Sequence, residues 1–407
     1  MAQTYLIVGA GQAGGRAAET LRAQGYTGHV VLVGDESWRP YERPPLSKDV
    51  LLSADDANCY QGWLHNADFY EMPNLERVHD AVERLDTENR IAHLKSGRTI
   101  PYAKCLLTTG GRCRPMASLP ASPKVVSLRT LDDAMRLRQL LAGAESVAVI
   151  GGGFLGLEFA ASAVARGVRA TVYESAPRLL ARALPEAFSE RLLAKHRAMG
   201  VEILLGAGQT RVTQSGQQVE IDGAGGRRVY DFCVVAVGQL PNEELASASG
   251  IEVRNGIVVD EYCRTSAPDV YAAGDCANFP LGLERRATRL ESWQNAQDQA
   301  SVAARNMLGE ALPYQPLPWF WTDQHDWNIQ MLGLYDGSVE QWVERPAAPD
   351  KTLMIGLKGG VIVYALALNQ GGELRALKRF VEQRLAVDPE ALADMGVKLR
   401  KLEPIRH

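Results

Sequence analysis

The chain of 407 residues lacks any closely spaced cysteine pair. Cys59, Cys105, Cys113, Cys233, Cys263 and Cys276 are scattered, with no C-x-x-C and no metal-ligand spacing. They read as reduced thiols in a cytoplasmic protein, with no metal site expected. Low-complexity tracts are absent too, and 46% apolar with 23% charged residues is the composition of an ordinary globular protein. No charge sign dominates: the net charge of -4 argues against nucleic acid as the main partner. A membrane span is not expected. The most apolar stretch, Ser146 to Val168, carries glycines, Glu158 and Arg166, which fit a buried strand, turn and helix better. No basic segment precedes the first apolar run, so no signal peptide is expected. A chain of this length should hold roughly two or three domains.

What the chain does have is one glycine pattern twice. Gly9-Ala10-Gly11-Gln12-Ala13-Gly14 follows the apolar run Tyr5-Leu6-Ile7-Val8. Gly151-Gly152-Gly153-Phe154-Leu155-Gly156 follows Val147-Ala148-Val149-Ile150. Each reads as strand, tight turn and helix, where backbone N–H groups and a helix N-terminus can hold a pyrophosphate. A second strand ends in an acid in both cases, Asp35 after Val30-Val31-Leu32-Val33-Gly34 and Glu174 after Ala170-Thr171-Val172-Tyr173. An acid about twenty residues beyond the last glycine can bind a ribose 2′-hydroxyl. One such pattern is weak; two imply two dinucleotides, and hence electron transfer between them.

The expected fold class is therefore α/β, with two Rossmann-like dinucleotide-binding domains. Further strand patterns occur near Ile91–Leu94, at Cys105–Thr109 before Gly110-Gly111, and at Phe232–Val237 before Gly238. Val270-Tyr271-Ala272-Ala273 runs into Gly274-Asp275, and a helix is expected from Asn295 to Leu308. A helix at Ala187–Ala198, a strand at Val201–Leu205 and a hairpin around Thr213–Ile221 are expected between them. A Pro-rich linker at Leu312–Pro318 precedes strand-like segments and terminal helices, expected to form a small α+β domain.

With these elements in place, the chain resembles the NADH-dependent ferredoxin reductases that serve Rieske-type dioxygenases and bacterial P450s. The shared motifs are Arg43-Pro44-Pro45-Leu46-Ser47-Lys48, Thr109-Gly110, Gly156-Leu157-Glu158 and Val237-Gly238-x-x-Pro241-Asn242. They continue with Pro268-Asp269-Val270-Tyr271-Ala272-x-Gly274-Asp275, Glu291-Ser292-Trp293-x-Asn295-Ala296 and Pro318-Trp319-Phe320-Trp321-Thr322-Asp323-Gln324. The first and last runs are the specific ones; the others occur throughout glutathione-reductase-like flavoproteins. Two mild departures are Thr108, where a small apolar residue is more usual, and Gln239.

The resemblance implies FAD on the first fingerprint and NAD(H) on the second. It implies a discontinuous FAD domain (1–112 and 238–313), an inserted NAD domain (113–237) and a C-terminal α+β domain (314–407). FAD contacts would come from Gly9, Gly11, Gln12, Ala13, Gly14, Asp35, Arg43, Lys48, Val82, Thr109, Gly110, Arg129, Gly274, Asp275, Trp293 and Trp321. NADH contacts would come from Gly151, Gly153, Phe154, Leu155, Gly156, Glu158, Glu174, Arg182 and Gly238. Lys48 and Glu158 are the implied catalytic pair, beside the flavin N5. Taken alone, Lys48 is equally a surface lysine, Glu158 a helix-start carboxylate, Asp35 a turn acid and Trp293 core packing. Glu174 favours NADH over NADPH, because a carboxylate repels a 2′-phosphate.

Disulfide reductases of this fold use a C-x-x-x-x-C pair where this chain reads Arg43 to Val50, without sulfur. Electrons should therefore leave to a separate carrier. The implied partner is a [2Fe–2S] ferredoxin that feeds an oxygenase in aromatic or terpenoid catabolism. Arg285, Arg286 and Trp321 are the candidate docking residues, with a monomer or homodimer as the assembly. Three alternatives stay open: a rubredoxin reductase or NADH oxidase, a subunit of a flavin-dependent amine or opine oxidase complex, and an apoptosis-inducing-factor-like binding protein.

Overall fold

Short apolar runs bounded by glycine become strands when both faces are covered, and here they build two parallel sheets. The computed structural model describes residues 3–55, 58–116, 119–120, 122–282 and 284–405. The chain divides into two compact units. One comprises Met1–Pro45, Tyr60–Arg112 and Gln239–Pro316; the other comprises Leu46–Cys59, Cys113–Gly238 and Leu317–His407.

In the first unit the strand order is Val270–Ala272, Lys104–Leu107, Thr4–Val8, His29–Gly34, Leu75–His79, parallel throughout. In the second it is Glu202–Leu204, Arg169–Tyr173, Ser146–Ile150, Phe232–Val235, Val125–Val126, again parallel. Leu6, Ile7, Leu32 and Leu106 are fully buried in one, and Val147, Ala148, Val149 and Phe232 in the other. In both, the chain leaves the first strand to one side and later returns on the other. That reversal opens a crevice at the carboxyl ends of Thr4–Val8 and Lys104–Leu107, and of Ser146–Ile150 and Phe232–Val235. Both glycine turns lie there.

The expected strand, turn and helix at 146–168 are present as Ser146–Ile150 and Phe154–Ala165. The expected helix at 295–308 starts earlier, at Trp293, because the Ser292 hydroxyl caps it by accepting the Asn295 N–H. The hairpin expected around 213–221 is two arms of a three-stranded meander, Arg211–Ser215, Gln218–Gly223 and Gly226–Tyr230. The first unit carries its own meander, Val82–Asp86, Ile91–Leu94 and Thr99–Pro101. The internal repeat thus extends beyond the glycine turns.

The C-terminal part of the second unit is an antiparallel sheet ordered Trp319–Gln324, Trp327–Gly333, Val361–Leu368, Lys351–Lys358, Gln341–Ala348. The helix Gly371–Glu382 lies against it through Leu374, Leu377 and Phe380, spaced to share one face. Among the described residues no helix is long and apolar enough to cross a membrane, and no cluster of His, Cys, Asp or Glu is arranged to hold a metal ion.

A fully buried histidine ties this sheet to the helix Glu186–Ala198 of the same unit. The His196 ring Nε2 lies 2.7 Å from Gln324 Oε1, and its Nδ1 lies 3.1 Å from His325 Nε2. Burial pulls the His196 imidazole down to about 4, with the Gln324 bond opposing the shift and His325 and Lys195 adding to it. Between about pH 6.5 and 4 the unfolded chain binds a proton here that the folded protein refuses. This contribution to stability is therefore complete above pH 6.5 and lost as pH falls, about 3 kcal/mol by the time pH 4 is reached. His196→Gln keeps a hydrogen-bonding amide without titrating. Its melting temperature should fall less steeply than the parent's between pH 7 and 4.5; parallel slopes would show that His196 does not drive the acid limb.

Candidate functional site

Backbone approaches too close for a Cβ explain the first turn. Gly9 has φ +114°, and a Cβ there would sit 2.2 Å from the Thr108 carbonyl oxygen; one on Gly14 would sit 1.9 Å from the Gly9 carbonyl oxygen. The Thr108 hydroxyl donates to the carbonyl oxygens of Gly9 (2.9 Å) and Val8 (3.1 Å), so the departure at 108 stitches the two strand ends together. The helix Gln12–Ala23 starts at Gly11 with no side-chain cap, leaving first-turn N–H groups for another acceptor. Both polar atoms of the Gln12 amide are buried without a hydrogen-bond partner. An uncapped helix end beside an orphaned amide fits a phosphate-bearing dinucleotide.

Of the other expected residues in this unit, Gly274 and Arg43 stand next to this turn. Gly274 has φ +83°; its N–H donates to Gln299 Oε1 (2.8 Å), and a Cβ on it would lie 3.1 Å from Ala13 Cβ. Asp275 Oδ2 accepts from Gln239 Nε2 at 3.0 Å, which gives the second departure a role. The Thr109 hydroxyl donates to the Asn242 carbonyl oxygen (2.6 Å) and the Asn242 amide returns a bond to the Thr109 carbonyl oxygen (2.9 Å), so the Pro-Asn motif braces Thr109-Gly110. Arg43 pairs with Glu36 at 2.6 Å and stacks on Tyr41. Burial works against its charge, but Tyr41, Glu36 and Asp275 outweigh it and hold the guanidinium firmly protonated. Glu36 was not singled out in the sequence; its neighbour Asp35 is exposed, directly after its strand. Val82 opens the meander opposite Leu94, and Trp293 is the half-buried first residue of its helix. Arg285 and Arg286 lie next to and within the strand Arg286–Thr288; Arg285 is exposed and bridged to Glu261 at 2.8 Å.

The second unit repeats the turn. Gly151 has φ +104°, and a Cβ on Gly156 would sit 2.1 Å from the Gly151 carbonyl oxygen. The helix Phe154–Ala165 begins at Gly153, also uncapped. The Glu174 carboxylate is pinned by two backbone N–H groups, Gly152 on Oε2 and Ala176 on Oε1, both at 2.7 Å. Gly238 has φ +103° and Arg182 is exposed. The Arg129 N–H donates to Asp133 at the start of the helix Leu131–Ala142. Phe154 packs on Phe320 with ring centres 4.6 Å apart. Leu155 completes the first turn with it.

Glu158 stands one turn into that helix and is only 8% exposed. Lys48 Nζ lies 3.2 Å from Glu158 Oε1 and, closer still, 2.9 Å from Asp323 Oδ2. Ser47 and Thr322 each donate a hydroxyl to Glu158, to Oε2 and Oε1 respectively, both at 2.5 Å. The Asn328 amide holds the other oxygen of Asp323 at 2.6 Å. Trp321, stacked on Trp319 at 5.1 Å, presents its ring 5.9 Å from the ammonium. The sequence singled out Lys48 and Glu158; Ser47, Thr322 and Asp323 appeared there only inside motifs. Burial pushes the Glu158 carboxyl up, with Lys48, Ser47 and Thr322 pulling it back. For Lys48 burial is also the largest influence and works against the charge, but Glu158 and Asp323 together outweigh it and raise the ammonium. The surrounding hydrogen-bond donors decide for an ionised Glu158, and two carboxylates decide for a charged lysine.

All six cysteines are unpaired, and five are buried. Desolvation raises the thiols of Cys105, Cys233, Cys263 and Cys276, which disfavours a reactive thiolate at each.

Two dinucleotide-type turns, each at the switch point of its own parallel sheet, define an α/β protein that handles two nucleotides. Residues 3–300 match the pyridine nucleotide-disulphide oxidoreductase family, and the chain belongs to it. Residues 319–403 match the reductase C-terminal domain. The chain is 40% identical over 406 residues to the anthranilate 1,2-dioxygenase system ferredoxin–NAD(+) reductase component of Burkholderia cepacia, covering 98% of this chain and 99% of the relative. Its structure is similar to the ferredoxin reductase for the CYP199A2 system from Rhodopseudomonas palustris, with TM-score 0.93, 36% identity and coverage of 98% and 99%. It is also similar to a chain of the covalent putidaredoxin reductase–putidaredoxin complex, with TM-score 0.92, 33% identity and coverage of 98% and 97%.

Proposed function

We propose that this protein is an NADH-dependent ferredoxin reductase, moving electrons from NADH through FAD to a [2Fe–2S] ferredoxin that supplies a dioxygenase or P450-type oxygenase. The observation that carries the reading is a pair of dinucleotide turns in a chain whose thiols are unpaired and mostly buried, which leaves no internal dithiol to receive electrons. When bound, FAD supplies the capacity to take two electrons as hydride and release them singly.

The residues divide the work. Gly9, Gly11, Gln12, Ala13 and Gly14 hold the FAD pyrophosphate, and Asp35 takes its adenosine ribose. Arg43, Val82, Thr109, Gly110, Arg129, Gly274, Asp275, Trp293 and Trp321 complete the FAD contacts. Gly151, Gly153, Phe154, Leu155 and Gly156 hold the NADH pyrophosphate, with Glu174, Arg182 and Gly238 along its adenosine half. Glu174 arrives already oriented by Gly152 and Ala176, so its charge faces a ribose hydroxyl without a rotamer search. Lys48 and Glu158 orient the nicotinamide, and the ammonium offsets negative charge that develops as hydride is passed.

Three measurements test this. In a steady-state screen, NADH should drive reduction of a [2Fe–2S] ferredoxin with kcat/KM well above that for rubredoxin or O₂, and NADPH should be at least tenfold poorer than NADH. Preference for rubredoxin, for O₂ or for NADPH would overturn the corresponding part. Lys48→Ala and Glu158→Ala should each slow NADH-driven flavin bleaching in stopped flow by about tenfold to a hundredfold; bleaching at the parent's rate would remove them from the hydride step. Acidic ferredoxins should be steered by basic side chains. Arg285→Glu with Arg286→Glu should therefore slow ferredoxin reduction and leave NADH-to-ferricyanide turnover intact. If ferredoxin kinetics do not change, docking occurs elsewhere.

A further inference from the structure

The hydroxyl that reaches Glu158 is the last link of a chain of hydrogen bonds with a fixed direction. Thr322 Oγ1 lies 2.5 Å from Glu158 Oε1 and 3.2 Å from Gln324 Nε2. An amide nitrogen donates and cannot accept, so the single Thr322 proton must point at Glu158. Gln324 is held in this orientation because its Oε1 lies 2.7 Å from His196 Nε2, which must then carry a proton. A neutral His196 with a proton on Nε2 leaves Nδ1 as an acceptor, and the half-buried His325 supplies the donor through its Nε2 at 3.1 Å. Thr322, Gln324 and His196 are each 0% exposed, so water cannot replace a missing link.

The charged neighbours are arranged at the two ends. Lys48 and Asp323 face Glu158, and Lys195 pairs with Asp326 beside His325 at 2.5 Å. Glu158 Oε1, the oxygen nearest Lys48, thus meets donors: the Thr322 hydroxyl, the Lys48 ammonium and, at 3.4 Å, the Asp323 N–H. Placing a proton on that oxygen would require Thr322, the Gln324 amide and the His196 tautomer all to reverse. Oε2 faces the Ser47 hydroxyl, which can turn from donor to acceptor without disturbing the others.

We propose that Thr322, Gln324 and His196 are positioning residues that keep Glu158 Oε1 as a bare acceptor aimed at Lys48 and confine any proton on this carboxyl to the Ser47 side. The proposal rests on the reading of Lys48 and Glu158 given above for its functional meaning, although the geometry stands apart from it. The consequence is that Glu158 stays ionised against a buried setting that favours its neutral form.

The test is an infrared titration of the holoenzyme, in which the protonated-carboxyl band of Glu158 is assigned by its disappearance in Glu158→Gln. Thr322→Val removes the donor and should let Glu158 take its proton at about tenfold lower proton concentration, one pH unit higher. His196→Leu frees the Gln324 amide to turn and should shift it the same way by about threefold. Thr322→Ser and His196→Gln retain donors and should titrate as the parent does. The pH at which NADH-driven flavin bleaching is half-maximal should move with the band. A band that moves in Thr322→Val and His196→Leu while the bleaching profile stays put supports the chain and refutes the nicotinamide role of Glu158. Identical titrations in the parent, Thr322→Val and His196→Leu, with bleaching still impaired in Glu158→Gln, overturn the chain and leave that role standing.

Discussion

The second unit depends on a carboxylate that has been taken out of water and repaid in hydrogen bonds. Glu158 has almost no solvent contact, and an isolated buried charge would cost several kcal/mol. It is held by Ser47 and Lys48 from one segment and by Thr322 from a strand far along the chain, with Asp323 sharing the lysine. Three pieces of sequence therefore converge because one charge needs them. The Ser162 hydroxyl reinforces the arrangement by donating to the Ser47 carbonyl oxygen at 2.7 Å, from the same helix that carries Glu158. Arg138 does likewise, donating to the Val50 carbonyl oxygen at 2.8 Å.

This clamp shares its helix with the second glycine turn. The helix Phe154–Ala165 offers uncapped N–H groups at one end and Glu158 one turn later. A pyrophosphate on that helix N-terminus would fix a dinucleotide with respect to Glu158 through a rigid rod rather than a loop. The reductase C-terminal domain contributes the strand Trp319–Gln324, whose alternation divides its labour. Trp319, Trp321 and Asp323 lie on one face with Lys48, whereas Phe320, Thr322 and Gln324 meet Phe154, Glu158 and His196 on the other.

The fold brings no two of its cysteines together in a disulfide. Members of a family described by its disulphide oxidoreductases could carry a dithiol, yet here the thiols are dispersed and, where buried in the sheets, held protonated by desolvation. The similar proteins are themselves named as ferredoxin reductases, a role that needs no internal dithiol.

Local rules were legible in the chain itself. Glycines at 9, 14, 151 and 156 are demanded by backbone contacts under 2.5 Å to a would-be Cβ, so their spacing alone announced two tight strand-to-helix turns. Continuous apolar runs announced the parallel strands, and strand-like segments after a Pro-rich linker announced a small C-terminal α+β domain. Lys48 and Glu158 came from a motif resemblance, since nothing within a few residues of either marks it as part of a pair. Their remaining partners were beyond reach: Asp323 lies 275 positions from Lys48, Gln324 lies 128 from His196, and neither has a period or spacing that betrays the contact. His196 reads in sequence as one more polar residue of an amphipathic helix. Only the packing of that helix on the hairpin Trp319–Gly333 gave it a tautomer, a direction and a place in line behind Glu158, because hydrogen-bond direction is decided by which groups the fold brings within three ångströms.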